Sequence, residues 1–344
     1  MLSSDEWKRF CEIMNGYIYS QALATACEFD LFTHLSKHDG ATLGELQEKL
    51  SLSEYATRVL LLACCACGLI HREENTGKYT NSSIAEKVLV SQSPYSMVSF
   101  VRFNHQVQQR CANNLTQSLR ECRNAGLDEL PGEGDMLYHR LTKYPELESL
   151  FQEAMNAYTR LSTKMLDVPE LAEIRNLLDI GGGEGGNAIR FCRQYPNLKV
   201  TILDLPTVCR IARKTIERNG LSDRISCVAR DMFEETWPEN VNGILLSHVV
   251  EIFSPQKIRF LYKKAYEALP AGGRLFIWAI MANDSETGGL QAAKSSIYFL
   301  STASGEGMAY PGKDHEQWLR EAGFKKIARY DAIEYEHGAI VAEK

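Results

Sequence analysis

Residues 177–206 read LLDIGGGEGGNAIRFCRQYPNLKVTILDLP. Leu177, Leu178 and Ile180 make a short apolar strand around Asp179. Gly181, Gly182, Gly183, Gly185 and Gly186 follow at once, and glycine lets a backbone turn tightly and lets a ligand approach it. Ala188, Ile189 and Phe191 then begin a helical apolar pattern. Val200, Ile202 and Leu203 make a second strand, which Asp204 ends. This is the order of a nucleotide-binding βαβ unit, in which an acid at the second strand's end accepts from two ribose hydroxyls.

The turn's charge narrows the ligand. A dinucleotide's pyrophosphate favours G-x-G-x-x-G at a helix N-terminus. Here Asp179 precedes the turn and Glu184 lies inside it, and two carboxylates are a poor environment for a pyrophosphate. They suit the ammonium and sulfonium end of S-adenosylmethionine. A glycine turn in a cofactor-free α/β fold is the simpler alternative, and it leaves Asp204 without a purpose.

From about residue 170 strands and helices alternate, which implies a parallel sheet. Strands are expected at 177–181, 200–204, 225–229, 243–247, 274–280 and 326–330, with a last one near 338–342. The chain before about residue 90 is mostly helical. Tyr17, Ala22, Leu23, Ala26, Cys27, Phe29 and Leu31 repeat at helical spacing. Thr42 and Glu45 form a capping box, and Ser53 caps a helix that ends at Gly68. LIHREENTGKYTNS then reads as a two-stranded wing turning near Asn75 to Gly77. Helices and a wing usually bind DNA, but the expected recognition helix has only Arg58 as a basic residue. Dimerisation is the better use. The apolar helical faces carrying Leu23, Phe29, Leu31, Leu61 and Leu62 are expected to be covered by a second copy.

The fold class is thus α/β: a Rossmann-like domain at 166–344, an all-helical or winged-helix dimerisation domain at 1–90, and connecting helices at 91–165 that contribute to a substrate pocket. The length of 344 residues allows two domains. Hydrophobic content of 44% and charged content of 24% are ordinary for a globular protein. A net charge of −6 argues against nucleic acid as a partner. The longest uncharged apolar run, Val59 to Ile70, is too short to span a bilayer, and MLSSDEWKRF lacks a signal-peptide pattern. A cytoplasmic protein with no membrane partner is expected. The 10 cysteines are scattered, many on apolar helical faces, as reduced thiols used as small hydrophobes. Cys64 and Cys67 form a CxxC inside VLLLACCACGLI, where packing explains them better than redox or metal chemistry.

These stretches, in this order, resemble the plant-type and acetylserotonin-type small-molecule O-methyltransferases, which also serve bacterial natural-product pathways in secondary metabolism. The resemblance covers nearly the whole chain. YSQALATACEFDLFTHL and YATRVLLLACCACGLI look like the family's dimerisation domain, LLDIGGGEGG like its cofactor loop, and LDLP like its ribose-binding strand end. ARDMFEE resembles the segment that holds the adenine, and WLREAGF its penultimate helix. The resemblance implies an S-adenosylmethionine-dependent methyltransferase and a homodimer acting on a small molecule. Carried over by position, it implies cofactor contacts at Asp179, Gly181, Gly183, Asp204 and Leu205, adenine contacts at Asp231 and Met232, a contact at Thr159, and His248 beside the adenosine.

The sequence also departs from the family. Its usual H-x-x-H-D-W, with the second histidine as general base, is here His248-Val-Val-Glu251-Ile252-Phe253. Glu251 occupies the base position. A phenol of pKa ~10 suits a histidine base better than a glutamate of pKa ~4.3. The carboxylate instead suits a substrate ammonium, a proton leaving carbon, or a developing cation; capping the helix that follows is the plainer role. O-, C- and N-methylation all stay open. So does a non-methylating relative of the hydroxylase, decarboxylase or pericyclase type, and, less favoured by the acidic charge, a winged-helix ligand-responsive regulator. Glu251 and His248 are the catalytic candidates, with His105 and His315 as alternative bases. Phe103, His105, Met155, Tyr158, Phe253, Tyr298, Phe299, Met308 and Tyr310 are candidates for a substrate pocket at the sheet's C-terminal ends. No metal is expected, because His248, Glu251 and His315 lack a tight ligand spacing.

Overall fold

The computed structural model describes residues 3–161, 164–334 and 336–344, with the backbone alone at 161, 164, 166 and 332–334. The chain divides into two units, Met1–Gln109 with Glu146–Leu161, and Arg110–Pro145 with Ser162–Lys344.

The first unit begins with helices Ser4–Met14, Gly16–Glu28, Leu31–Lys37, Leu43–Leu50 and Glu54–Ala66. Sequence sets their ends. Thr42 Oγ1 accepts from the Glu45 amide at 3.4 Å while Glu45 returns an acceptor to the Thr42 amide at 2.7 Å, the expected capping box. Ser53 accepts from Ala56 at 3.3 Å in the same way. Strands β1 (Ile70–Arg72) and β2 (Tyr79–Asn81) then pair antiparallel across a turn in which Gly77 takes a φ of +68°. Cys27 and Cys64 lie in this unit's core, and burial pushes both thiols up to about 12, so they pack as hydrophobes.

One expectation here is corrected. Leu31 and Leu61 are buried within the subunit's own core and Leu23 and Phe29 pack against it, so none of the four is free for a second copy; Leu62 alone stays exposed. The solvent-facing apolar residues instead include Trp7, Phe10, Ile13, Met14 and Tyr17, and Tyr55 and Val59 on the same helix as Leu62. Helix Ser4–Met14 buries no residue at all. An isolated helix of that length is marginal in water, so its apolar residues call for a covering partner.

The second unit holds a seven-stranded sheet. Its strands are β3 (Asn176–Ile180), β4 (Lys199–Asp204), β5 (Ile225–Ala229), β6 (Gly243–Ser247), β7 (Arg274–Ile280), β8 (Lys326–Glu334) and β9 (His337–Glu343), in the order β5-β4-β3-β6-β7-β9-β8. The first five are parallel, and the β8–β9 hairpin closes the edge antiparallel to β7. All seven expected strands are present. The central ones are apolar on both faces: Leu275, Ile277 and Ala279 enter one core layer, and Phe276 and Trp278 the other. Strand order reverses between β3 and β6. That switch point leaves a crevice beyond the strands' C-terminal ends, where such folds bind ligands. No described helix is long and apolar enough to cross a membrane.

Candidate active site

The turn after β3 is built around two carboxyl groups. The Gly181 amide donates to the Leu203 carbonyl at 2.8 Å, which brings the turn back beside the end of β4. There Asp204 accepts from the Gly183 amide at 2.9 Å and from the Leu205 amide at 2.7 Å. Gly183 has a φ of +58°, and a Cβ placed on it would meet nothing within 4 Å, so the turn is left-handed and open at that point. Asp179 is fully buried, and neither of its carboxylate oxygens has a hydrogen-bond partner among the described residues. Burial, with the charge of Asp204 adding to it, pushes its carboxyl up to about 7. Burial also raises Asp204, opposed by its two backbone donors. An unsatisfied buried carboxyl behind an open glycine turn fits a cationic, hydroxyl-bearing ligand and disfavours a pyrophosphate.

The end of β6 lies beside this turn. Asn187, at the start of helix Gly186–Gln194, donates to Ser247 at 3.2 Å, and the Val249 side chain packs where a Gly181 Cβ would be. The next residue after β6, His248, has a φ of +55°, a conformation that costs a non-glycine residue of order 1 kcal/mol. Two bonds hold it there. Its amide donates to the Trp278 carbonyl at 2.8 Å, and its Nδ1 lies 3.0 Å from Glu251 Oε1. The pair is asymmetric, with a side-chain exposure of 27% at His248 and 2% at Glu251. With Nδ1–H donating to the carboxylate, Nε2 is the basic nitrogen of a half-buried imidazole, and the buried carboxylate fixes that ring's tautomer and orientation. Helix Pro255–Ala268 starts from Ser254 without a side-chain cap, so Glu251 does not cap it.

Two phenols lie within the field of Glu251. Glu251's charge and burial both raise the hydroxyl pKa of Tyr138 and of Tyr262, burial being the larger cause. Tyr138 hydrogen-bonds Tyr298, which burial lifts well above the usual range. Lys294, one helical turn before Tyr298 on helix Leu290–Tyr298, has its amine lowered to about 8 by burial. His337 on β9 packs edge-on against His248 at 5.1 Å and stacks on Trp278. None of Tyr138, Lys294, Tyr262 and His337 belongs to a motif. The available signal was a single lysine in the otherwise uncharged run LQAAKSSIYFL, four residues from Tyr298.

The other candidates fall into three groups. Asp231 is exposed, and its Oδ1 accepts from the Phe233 amide at 2.7 Å, so it shapes a turn after β5; Met232 beside it is half-buried. Phe253 and Phe299 are buried, whereas Tyr298, Met308 and Tyr310 are half-buried; Phe253 meets Phe233 edge-on and Tyr310 packs on Trp318. In the first unit, Phe103 is buried against Phe151, Tyr158 stacks on Phe100, and Met155 and Thr159 are half-buried on helix Pro145–Leu161. His105, on a π-helical turn, has Nδ1 3.5 Å from Gln109.

His315 is corrected as an alternative base. It is completely buried, bonded through Nδ1 to the Tyr262 hydroxyl at 2.7 Å, and lowered by that burial to about 3. It is therefore a neutral core histidine that solvent and substrate do not reach. No group of three or more His, Cys, Asp or Glu side chains among the described residues is placed to hold a metal.

Comparison with known proteins agrees with this geometry. Residues 113–325 match the O-methyltransferase domain and residues 11–91 the O-methyltransferase dimerisation domain. An L-tyrosine C(3)-methyltransferase from Streptomyces lavendulae is 32% identical over 96% of this chain and 91% of its own. The apo structure of the S-adenosylmethionine-dependent methyltransferase SibL is 31% identical, covers 98% of both chains and superposes with a TM-score of 0.83. Human N-acetylserotonin methyltransferase in complex with S-adenosylmethionine shares the fold at a TM-score of 0.90 and 23% identity, over 99% of this chain and 98% of its own.

Proposed function

This chain belongs to the O-methyltransferase family and carries its dimerisation domain, and from that premise we propose that it methylates a ring carbon of a phenolic aromatic amino acid, next to the hydroxyl. It is an S-adenosylmethionine-dependent methyltransferase that works as a homodimer on a small molecule. When bound, S-adenosylmethionine supplies an electrophilic methyl group on a sulfonium. On our reading Gly181, Gly183, Asp204 and Leu205 hold its ribose end, Asp231 and Met232 its adenine, and Asp179 lies toward its cationic end.

The observation that carries the carbon acceptor is the 3.0 Å bond between half-buried His248 and buried Glu251. A neutral phenol is a weak carbon nucleophile. When His248 Nε2 takes its hydroxyl proton, charge spreads to the ring carbons beside the oxygen, and Glu251 stabilises the imidazolium that forms. Once the new carbon–carbon bond exists, that ring carbon still carries its hydrogen. His248 first returns its proton to the oxygen and, neutral again, takes the ring hydrogen, which restores the aromatic ring; that proton then passes to solvent, one per turnover. An oxygen acceptor needs only the first transfer. The tyrosine C(3)-methylating relative supports the same choice. A cytoplasmic setting belongs to this reading, supported by ten free cysteines.

Tyrosine deuterated at both ring positions beside the hydroxyl tests it. Incubation with S-adenosylmethionine is expected to give a product methylated on carbon that has lost one deuterium per turnover, read by mass spectrometry. A methoxy product that keeps both deuterium atoms would overturn the carbon assignment.

A further inference from the structure

The turn after β5 is held from behind by a single ammonium. Lys264, half-buried on helix Pro255–Ala268, commits all three of its N–H donors to it. Nζ donates to the carbonyls of Met232 at 2.8 Å, Phe233 at 3.2 Å and Glu235 at 2.7 Å. The Trp237 indole N–H donates to the same Met232 carbonyl at 2.9 Å. The ammonium also lies 5.2 Å from the centre of the Trp237 ring and 5.8 Å from that of Phe260. Carbonyl oxygens that converge on one point repel each other, so the turn keeps this shape while a compact cation stands there. The same turn faces the ligand crevice. The Arg230 amide, one residue before it, donates to the Asp204 carbonyl at 3.1 Å, which sets the turn beside the end of β4. Within it the Phe233 amide occupies Asp231 Oδ1 at 2.7 Å, and the Asp231 amide donates to Glu235 Oε1 at 3.0 Å. Asp231 is exposed, and Oδ2 is left as an acceptor for a ligand. All of these residues belong to the second unit.

We propose that Lys264 is a positioning residue for the base of the cofactor: by fixing the carbonyls of residues 232–235 it sets the Asp231 carboxylate to accept from the adenine amine, and so makes the site select a purine with an amine at that position over one with a carbonyl. This rests on the adenine reading of Asp231 and Met232 given above. Methionine at position 264 removes the cation and leaves three carbonyls converging on an apolar group, so the turn relaxes and carries Asp231 with it. The contacts read for the ribose, at Asp204 and the 181–183 turn, sit on other segments and remain.

The test is calorimetric binding of S-adenosylhomocysteine and of S-inosylhomocysteine to the full-length protein. The second compound sets a carbonyl oxygen against the carboxylate in place of the amine. The wild type is expected to bind the adenine form about 10- to 100-fold more tightly, the range of one charge-assisted contact. Lys264→Met should bind the two forms within about threefold of each other, by losing affinity for the adenine form. Lys264→Arg, which returns the charge, should recover part of the preference. A lysine that serves stability alone lowers the thermal midpoint and weakens both forms equally, so a Lys264→Met protein with the wild-type ratio overturns the proposal and leaves the adenine reading standing. If Lys264→Met does not fold, Lys264→Gln, whose amide supplies two donors without the charge, is judged by the same ratio. Equal binding of the two forms by the wild type overturns the adenine reading and the role of Lys264 with it, and that comparison needs no variant.

Discussion

Glu251→Gln is expected to leave S-adenosylmethionine affinity unchanged while turnover falls about 10²- to 10⁴-fold, because the base at His248 loses the carboxylate that orients it. Glutamine keeps the shape and a hydrogen-bonding oxygen. It loses the negative charge that supports the imidazolium and, through its amide, favours the tautomer with the proton on the wrong nitrogen of His248. His248→Gln should show a loss at least as large, because it removes the proton acceptor itself. Turnover retained within threefold in Glu251→Gln would make the 3.0 Å bond a structural ornament of the strand end.

Asp204→Ala is expected to weaken cofactor binding by about 10²- to 10⁴-fold. Two ribose hydroxyls donating to a carboxylate contribute about 1.5–3 kcal/mol each, and 1.4 kcal/mol is a factor of ten. The structure adds a second contribution. Asp204 already accepts from the Gly183 and Leu205 amides, so its removal also loosens the turn against which the ligand lies. Asp204→Asn, which keeps one acceptor for those amides, should recover the thermal midpoint more fully than it recovers affinity. Calorimetry that gives Asp204→Ala a wild-type dissociation constant would remove this residue from the cofactor site.

How far these residues could be read in advance depended on what each one interacts with. The strands were legible because β6 and β7 are apolar on both faces, a local pattern with a single structural outcome. The glycine turn was legible because left-handed backbone needs a particular residue. The capping box and the β1–β2 turn were local for the same reason. Partition of apolar residues between core and interface was not legible: Leu61 and Leu62 are adjacent and equally hydrophobic, yet 1% and 72% exposed. Which side of a helix meets the subunit's own core is decided by tertiary packing. The His248–Glu251 pair was visible as spacing, but the division of roles within it was not, because that depends on which member is buried. Tyr138 and Glu251 are separated by a long stretch of chain, and only the fold brings the phenol into the carboxylate's field.

The carboxyl of Asp179 is poised to respond to the charge of whatever occupies the turn. Fully buried, without a hydrogen-bond partner among the described residues and pushed up to about 7 by that burial, it is divided near neutrality between protonated and ionised forms. A positive ligand favours the anion and drives the proton off; a neutral ligand of nearly the same shape gives it back. Each unit of pKa difference between those two situations corresponds to about 1.4 kcal/mol of discrimination. On the cofactor reading proposed above, loss of the sulfonium's charge in the reaction weakens the grip on the spent cofactor, and the turn then favours exchange of the neutral sulfide for a fresh cation.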